Sequence, residues 1–186
     1  MVFELQFLDW LQTLQTTILN EIMKAVTHLG DAGALWIILA AVLLAFPKTR
    51  KSGAIVAAAL IVDLVLCNGI LKNIFARTRP FDVKEGISLL ITAPKDFSFP
   101  SGHTATVFSL MLGLTLLFQK KSWLSVCFFV LAVFTAYSRI YLSQHFAEDV
   151  LLGSFIGVVM TLVAYWLYQR KSYAWQEKSL LDLLKR

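Results

Sequence analysis

Long apolar runs separated by short charged segments form the dominant pattern of this chain. Five such runs stand out, at residues 29–46, 53–71, 104–118, 123–142 and 150–168. With its flanking polar turns, each run reaches the length of about 20 residues with which a helix crosses a bilayer. The pattern therefore predicts an all-α fold in which five helices span a membrane as one bundle.

The first 28 residues follow a different pattern. Leucine, isoleucine and valine recur at helical spacing between residues 3 and 27, while charged and amide side chains occupy intervening positions. This pattern predicts an amphipathic helix over residues 1–28 that either lies in the membrane interface or spans the bilayer as a sixth helix. Glu4 and Asp9, together with the lack of a basic region at the start, disfavour a secretory signal peptide.

The composition is that of a membrane protein with one domain. Hydrophobic residues make up 58% of the 186 residues and charged residues only 16%, and the mean hydropathy is +0.68. A soluble domain has about half apolar and about a quarter charged residues. No linker rich in serine, glycine or proline and no internal repeat divides the sequence, so we expect residues 1–186 to form a single domain.

Lysine and arginine residues indicate how the bundle lies in the membrane. If the five spans alternate, the basic segments at 48–51 and 120–121 and the tail at 169–186 share one side, which the positive-inside rule makes cytoplasmic. The connections at 72–103 and 138–149 then lie on the opposite face. The net charge of +5 is concentrated in the cytoplasmic segments, so it favours contact with anionic lipid over nucleic acid.

Three short strings in those outward connections carry the candidate chemistry. They are Lys72 with Arg79-Pro80, the tetrapeptide Pro100-Ser101-Gly102-His103, and Ser138-Arg139 followed by His145 and Asp149. Together they supply two histidines, a carboxylate, three cationic side chains and a glycine turn. Phosphoryl transfer depends mainly on positioning and on positive charge beside the phosphoryl oxygens, so this set of side chains indicates phosphoryl transfer.

The spacing within the strings supports the same chemistry. His145 and Asp149 are four residues apart, so on a helix they share a face, and the carboxylate can accept a hydrogen bond from one ring nitrogen. The other nitrogen is then free to act as a nucleophile or a base. Lys72 and Arg79 are seven residues apart, so a helix that ends at Pro80 would point both cations at one spot. Two cations that converge need an anion between them.

In order and in spacing, the three strings resemble the motifs of the PAP2 (type 2 phosphatidic acid phosphatase) superfamily, which includes the vanadium haloperoxidases and glucose-6-phosphatase. They match at every defining position within residues 72–149. The chain is most similar to the small bacterial lipid phosphatases of this superfamily, such as undecaprenyl pyrophosphate phosphatases and phosphatidylglycerophosphatases. The resemblance implies a helix bundle of the PAP2 and vanadium haloperoxidase type, and an activity that requires neither a metal nor another cofactor.

The resemblance also implies a role for each matching residue. His145 would attack phosphorus and form a phosphohistidine, with Asp149 holding its tautomer. His103 would protonate the departing oxygen and then deprotonate the water that hydrolyses the intermediate. Five further residues would bind the phosphoryl oxygens: Lys72, Arg79, Ser101, Gly102 and Arg139.

Other polar residues have more than one interpretation. Arg77 and Lys84 lie outside the motifs, where they could contact a lipid headgroup or a second phosphate, or be solvated. Asn68 lies one turn before Lys72 and could orient it, whereas Asp63 could make a structural hydrogen bond or act in substrate access. A zinc site built from the histidines and the carboxylate of the third string is disfavoured, because the nearby cations would repel the metal ion.

The substrate implied by the resemblance is a lipid whose phosphate lies at headgroup depth. Undecaprenyl pyrophosphate is favoured because the chain has almost no extramembrane domain and its site faces outward, where that carrier is released during wall synthesis. Phosphatidylglycerophosphate, phosphatidic acid and lipid A are alternatives within the class. A phosphatase for soluble esters and a non-catalytic protein that binds or transports lipid phosphates are alternatives from outside it. The expected location is the plasma membrane of a bacterium, with the active site on the extracellular or periplasmic side.

Overall fold

The structure is a computed structural model that describes residues 2–31, 33–87, 89–117 and 122–170. Every regular element in this part of the chain is a helix, so the predicted all-α fold is confirmed. The basic pair at 120–121 and the tail beyond Arg170, which the sequence assigned to the cytoplasmic side, lie outside the described residues.

The described residues form nine α-helices and one π-helical segment. In chain order they are α1 (Val2–Thr13), α2 (Thr17–Asp31), α3 (Gly33–Ala45), α4 (Arg50–Asp63), the π-helical segment (Leu64–Leu71), α5 (Lys72–Phe75), α6 (Pro80–Val83), α7 (Gly102–Leu117), α8 (Ser122–Tyr141) and α9 (Ala147–Arg170). α7 packs against α4, α8 and α9, and α3 packs against α4. The bundle is therefore built around α7, which begins within the Pro-Ser-Gly-His string at Gly102.

Among the residues that the structure describes, three stretches are long and apolar enough to cross a membrane. They are Arg50–Val83 with 34 residues, Trp123–Tyr141 with 19 and Ala147–Arg170 with 24. α3 and α7 contain shorter apolar stretches, Trp36–Ala45 and Gly102–Leu116. The structure thus supports a membrane helix bundle and confirms three stretches of spanning length, while the count of five spans stays a prediction for α3 and α7.

The amphipathic segment at the N-terminus forms two helices where the sequence predicted one. α1 ends in a turn in which the amide of Leu14 donates to the carbonyl of Leu11 at 3.1 Å. Thr16 then caps the start of α2. Its hydroxyl accepts a hydrogen bond from the amide of Leu19 at 3.3 Å, and its carbonyl accepts one from the amide of Asn20 at 2.8 Å. Threonine favours such a position since its hydroxyl satisfies an amide that has no partner within the helix.

Both N-terminal helices pack against the end of the bundle that carries the third string. Leu8 and Leu11 of α1 form a buried cluster with Phe146, and Met23 of α2 packs with Tyr141. These contacts fix α1 and α2 against the loop that joins α8 to α9.

Lys72 and Arg79 do not share one helix, contrary to the sequence prediction. α5 ends at Phe75 because Ala76 takes a left-handed conformation with φ of 44°. Pro80 begins α6 instead of ending a helix, and proline suits this first position because its missing amide would have no helical partner there. A reversal of the chain between two short helices, and not helical periodicity, brings the two cations together.

Two glycines let α9 approach α7 closely. A Cβ atom on Gly153 would lie 2.4 Å from the carbonyl oxygen of Ser101, and one on Gly157 would lie 2.2 Å from that of Ala105. Small residues four positions apart are a common helix contact in membrane proteins. The close approach holds the start of α7 against the start of α9, which carries Asp149.

Candidate active site

The two cations of the first string meet on one carboxylate, that of Asp96. Lys72 Nζ makes an ion pair with Asp96 Oδ2, and Arg79 Nη2 lies 2.6 Å from Asp96 Oδ1. Partial burial acts to raise the pKa of Asp96, but the hydrogen bonds and charges of Lys72 and Arg79 outweigh it and lower the pKa to about 2. The anion that the sequence required between these cations comes from the protein's own loop.

A cavity of about 350 Å³ joins these cations to the two histidines. Its polar wall contains six of the residues proposed for the site from the sequence: Lys72, Arg79, Gly102, His103, Arg139 and His145. The structure therefore brings side chains from all three strings into one cavity.

The other wall of the cavity is apolar and reaches the outside of the bundle. Trp36 and Ile37 of α3 line it together with Leu60, Ile61 and Leu64 of α4 and the π-helical segment. Ile37, Ile61 and Leu64 are 65%, 63% and 64% exposed. An exposed apolar surface of this kind on a membrane bundle is the surface that hydrocarbon covers, so these three residues belong both to the cavity lining and to the outer surface of the bundle.

His145 and Asp149 are buried and face each other, with 3.7 Å between His145 Nδ1 and Asp149 Oδ2. α9 begins only at Ala147, so a loop sets this distance, and not the shared helix face that the sequence predicted. The distance exceeds that of a hydrogen bond. Ser98 lies beside both groups: its hydroxyl donates to Asp149 Oδ2 and lies 3.5 Å from His145 Nδ1.

Asp149 also caps the start of α9. The amide of Phe146 donates to Asp149 Oδ2 at 2.9 Å, as in a capping box, where an acidic side chain reaches back to the residue before the helix. The carboxylate is thus fixed by the helix start as well as by the serine, and its position relative to His145 follows from both.

The second ring nitrogen of His145 faces the cationic side of the site. Nε2 lies 3.4 Å from Arg79 Nη1, which also donates to the carbonyl of Gln144 at 2.7 Å. Burial lowers the pKa of His145 to about 3, although Asp149 opposes the shift. The charges of Arg139 and Arg79 act in the same direction as burial. The imidazole is therefore neutral at pH 7, with a nitrogen available for nucleophilic attack.

Arg139 reaches the cavity from the last turn of α8. It is buried, and its Nη1 donates to Thr27 Oγ1 of α2 at 2.6 Å. Beyond α8 the chain reverses at Ser143, which has a left-handed φ of 55°, and the amide of His145 returns to the carbonyl of Arg139 at 3.3 Å. This turn places a cation and the nucleophile candidate on the same cavity.

The second string reaches the site from the start of α7. His103 lines the cavity. Ser101 is fully buried, its hydroxyl lies 2.9 Å from that of Thr104, and its amide donates to the carbonyl of Asp149 at 3.0 Å. In this structure Ser101 therefore links the start of α7 to α9, and its hydroxyl is directed to the hydroxyl of Thr104 in α7.

Two polar residues of the apolar run before Lys72 face the same cavity. Asn68 packs against Gly102, where a Cβ atom would lie 2.7 Å from Asn68 Oδ1. Asp63 is 2% exposed and accepts a hydrogen bond from Thr106 Oγ1 at 2.7 Å. Glycine at position 102 thus leaves room for Asn68 as well as for an anion to approach the backbone, and Asp63 makes the structural hydrogen bond that was one of its two interpretations.

Arg77 and Lys84, which the sequence suggested as possible headgroup contacts, bind protein carboxylates instead. Arg77 donates to Asp149 Oδ1 at 2.7 Å and to Glu4 Oε1 at 2.9 Å, and Lys84 makes an ion pair with Asp9. Neither is among the residues that line the cavity of the described chain. Carboxylates of α1 compensate both charges, so the two cations hold α1 against the active-site segment.

Asp96 and Ser98 belong to the site but were not predicted from the sequence. Both lie in the connection between α6 and α7, just before the Pro-Ser-Gly-His string. The convergence of Lys72 and Arg79 required an anion between them, and this requirement could have indicated a nearby carboxylate such as that of Asp96. Ser98 gave none, because its partners come from α9 and from the loop before it, and no spacing connects them with the serine.

Comparison with known proteins agrees with this arrangement. The model of the PAP2 superfamily matches residues 52–173, more than half of the chain. The chain is 33% identical over 143 residues to an undecaprenyl-diphosphatase of Sulfolobus acidocaldarius, covering 77% of this chain and 68% of the relative. It is 31% identical over 153 residues to phosphatidylglycerophosphatase B of Bacillus subtilis, covering 76% of this chain and 71% of the relative.

A solved structure shows the same fold. The crystal structure of a transmembrane PAP2-type phosphatidylglycerolphosphate phosphatase from Bacillus subtilis superposes with a TM-score of 0.77 at 24% identity, covering 93% of this chain and 88% of the other. Fold, motifs and sequence similarity lead to one conclusion: the chain belongs to the PAP2 superfamily of membrane phosphatases.

Proposed function

We propose that the protein is a lipid phosphatase that hydrolyses undecaprenyl pyrophosphate to undecaprenyl phosphate and inorganic phosphate. The observation that carries the proposal is the cavity with two walls, one holding the cations and both histidines and the other apolar and open to the outside of the bundle. A lipid can place its phosphate against the first wall while its chain stays in hydrocarbon at the second. A soluble phosphate ester would have no use for the apolar wall.

The terminal phosphate binds where the carboxylate of Asp96 lies. That side chain is 50% exposed and belongs to a connection between helices, so a phosphate group with a higher charge can replace it between Lys72 and Arg79. Arg139 and the amide of Gly102 complete the set of donors. Positive charge at these positions stabilises the equatorial oxygens, which gain charge in the transition state.

In the first step His145 Nε2 attacks the terminal phosphorus. A P–N bond forms, and the P–O bond to the bridging oxygen breaks with its electron pair leaving on undecaprenyl phosphate. His103 donates a proton to that oxygen. The proton on Nδ1 faces the side of Asp149, whose negative charge stabilises the positive charge of the phosphorylated imidazole.

In the second step water hydrolyses the phosphohistidine. His103, deprotonated by the first step, takes a proton from water while the water oxygen bonds to phosphorus and the P–N bond breaks. The products are inorganic phosphate, neutral His145 and protonated His103. The protein cations supply the charge stabilisation for both steps, so the proposal assigns no role to a metal ion or cofactor.

The proposed topology has five spans, with α3 and α7 crossing the membrane beside the three long stretches, and the site faces outward from the plasma membrane of a bacterium. The basic segment at 48–51 includes the start of α4, whereas Lys72 follows the π-helical continuation of that helix. The positive-inside rule supports a cytoplasmic position for the basic segment. A cysteine introduced at Val83, in a variant without Cys67 and Cys127, should react with an impermeant reagent added to intact cells. Reaction only after permeabilisation would overturn the orientation.

A glycerolipid is the second candidate for the substrate. The similarity to phosphatidylglycerophosphatase B supports it, and the same cavity would accept a phosphomonoester at the end of a glycerol headgroup. The two candidates differ in the leaving group, which is a phosphate oxygen in the first and an alcohol oxygen in the second. Their relative turnover therefore separates them.

The test is phosphate release by the purified protein in detergent, with EDTA present. Undecaprenyl pyrophosphate, phosphatidylglycerophosphate, phosphatidic acid and a short soluble ester are compared at equal concentrations. His145→Ala should abolish turnover. The matched control is His28→Ala, which changes a histidine of α2 that does not line the cavity and should keep full activity.

A strong preference for the pyrophosphate supports the proposal, and a preference for a glycerolipid replaces it with the second candidate. Comparable turnover of the soluble ester would contradict a lipid substrate. Lack of turnover with every substrate would favour a protein that only binds or transports lipid phosphates. A loss in EDTA that a divalent ion restores would contradict the metal-independent chemistry.

A further inference from the structure

Arg77 lies behind the active site and connects the catalytic carboxylate to the first helix. Its Nη1 donates to Asp149 Oδ1 at 2.7 Å, and its Nη2 lies 2.9 Å from each carboxylate oxygen of Glu4 in α1. The guanidinium group also lies 4.4 Å from the centre of the Phe146 ring. Nη1 also lies 3.2 Å from Glu148 Oε2 at the start of α9. One cation thus links Glu4 of α1 to two carboxylates of α9, and the ring that follows His145 directly covers its face.

The contact with Arg77 completes the hydrogen bonding of Asp149. Oδ2 accepts from Ser98 Oγ and from the amide of Phe146, and Oδ1 accepts from Arg77. The carboxylate is 0% exposed, so water does not provide an alternative donor. Without Arg77, Oδ1 would be a buried acceptor with its charge uncompensated, and the carboxylate could rotate about its last bond.

Rotation of Asp149 would matter because only one of its oxygens faces the imidazole. Oδ2 lies 3.7 Å from His145 Nδ1, whereas Oδ1 is turned toward Arg77. The electrostatic support that the carboxylate gives to the phosphorylated imidazole depends on this distance, and displacement of a catalytic group by about 1 Å can cost about 100-fold in rate.

Arg77 itself is held in place by its backbone. Its carbonyl accepts from the amide of Ser98 at 2.8 Å, and it follows Ala76, whose left-handed conformation ends α5. The side chain is 20% exposed and does not line the cavity of the described chain. Arg77 is therefore placed to act on Asp149 and not on the phosphate.

We propose that Arg77 is a positioning residue for Asp149, and that Glu4 holds Arg77, so that α1 contributes to the geometry of the catalytic pair. The proposal rests on the roles assigned to His145 and Asp149 under the proposed function. It gives α1 a part in the reaction, although no residue of that helix lines the described cavity.

The test is a double-mutant cycle with kcat as the readout. Inhibition by inorganic phosphate probes the cation cradle, the group of phosphate-binding side chains formed by Lys72, Arg79 and Arg139. Arg77→Gln should lower kcat by about 100-fold and leave the inhibition constant of phosphate within twofold, because the cradle is intact. Arg77→Lys should recover part of the loss, since it restores the charge but not the two-sided contact. In an Asp149→Asn background, Arg77→Gln should have little further effect on kcat.

A comparison of two carboxylates on α1 tests the second half of the proposal. Glu4→Gln removes the partner of Arg77 on α1 and leaves Glu148 and Asp149 in place, so it should lower kcat by a smaller factor than Arg77→Gln. Asp9→Asn is the matched control, because it removes the ion pair between Asp9 of α1 and Lys84. It should leave kcat unchanged. Thermal unfolding of each variant in detergent shows whether the variant is folded at the temperature of the assay.

Additive effects of Arg77→Gln and Asp149→Asn on kcat would overturn the proposal, as would equal losses from Glu4→Gln and Asp9→Asn. A parallel weakening of phosphate inhibition in Arg77→Gln would place Arg77 in the cradle instead. Failure of the proposed function has a different signature, because the unmodified protein would then fail to release phosphate from undecaprenyl pyrophosphate, or His145→Ala would keep its activity. If Arg77→Gln does not fold, Arg77→Lys and Glu4→Gln still decide the question.

Discussion

The cation cradle and the catalytic pair treat their carboxylates in opposite ways. Lys72 and Arg79 share Asp96, whose side chain is 50% exposed, whereas Asp149 is 0% exposed and accepts hydrogen bonds from three protein donors. Water screens an ion pair that has one accessible partner, whereas removing one partner of a fully buried pair costs about 3–5 kcal/mol. In the proposed reaction, the carboxylate that the substrate phosphate replaces is the one left half in water. The carboxylate proposed to hold its position through both steps is enclosed and accepts three hydrogen bonds.

Among changes that leave His145 in place, the largest expected effect comes from Arg79, which belongs to both regions. Arg79→Gln removes the charge that pairs with Asp96 and the Nη1 group beside His145 Nε2. We expect kcat/KM to fall by about 10²- to 10³-fold, the usual cost of losing a donor to developing negative charge, and phosphate inhibition to weaken. Lys48→Gln, a change of charge before α4, is the control. A loss below about tenfold would show that the cradle does not depend on Arg79.

Ser98→Ala probes the buried pair alone. Its hydroxyl is a donor to Asp149 Oδ2 and does not line the cavity, so kcat should fall by about 10- to 100-fold while the inhibition constant of phosphate stays the same. Ser109→Ala removes another buried hydroxyl of the bundle, which donates to Gly157 at 3.0 Å, and should leave kcat unchanged. A shift in phosphate inhibition with unchanged kcat would reverse the assignment of Ser98 to the pair.

Asp96→Asn should strengthen the binding of phosphate. The substitution removes the anion that competes for Lys72 and Arg79, while the backbone carbonyl that accepts from Arg79 Nε at 2.8 Å remains. We expect the inhibition constant of inorganic phosphate to fall by about fivefold, in line with an exposed ion pair. Asp82→Asn, an exposed carboxylate of α6, is the control. Weaker binding of phosphate by Asp96→Asn would mean that the carboxylate holds the cradle together and does not compete for it.

The smallest expected change is the absence of a titration. Burial lowers the pKa of His145 to about 3, so as pH falls from 8 to 5 the imidazole should stay neutral, whereas an ordinary histidine takes up a proton near 6.5. NMR of labelled imidazole in detergent, assigned with His145→Ala, measures this directly. A signal of His145 that titrates near pH 6.5 would contradict the enclosed character of the pair. The low pKa also affects stability. Between pH 6.5 and 3 the unfolded chain binds a proton at this histidine and the folded chain does not, so the free energy of unfolding decreases as pH falls from about 6.5 toward 3.

The sequence predicted the site residues that chemistry and order along the chain identify. Lys72, Arg79, His103, Arg139 and His145 all line the cavity. It was less accurate wherever the prediction depended on helical periodicity. Positions seven or four apart share a face only if the helix is continuous, and Ala76 and the loop before α9 interrupt it in both cases.

The sequence by itself determined the membrane class, the all-α fold and the set of reactive side chains, because these depend on apolar run length and on residue types that local patterns reveal. Only the tertiary structure decided which anion lies between Lys72 and Arg79, which donors bind Asp149 and which residue of α1 contacts Arg77. Those decisions depend on contacts between distant segments, such as Glu4 with Arg77 and Arg77 with Asp149. Charge pairing in a folded chain follows from proximity in space, and no periodicity in the sequence encodes it.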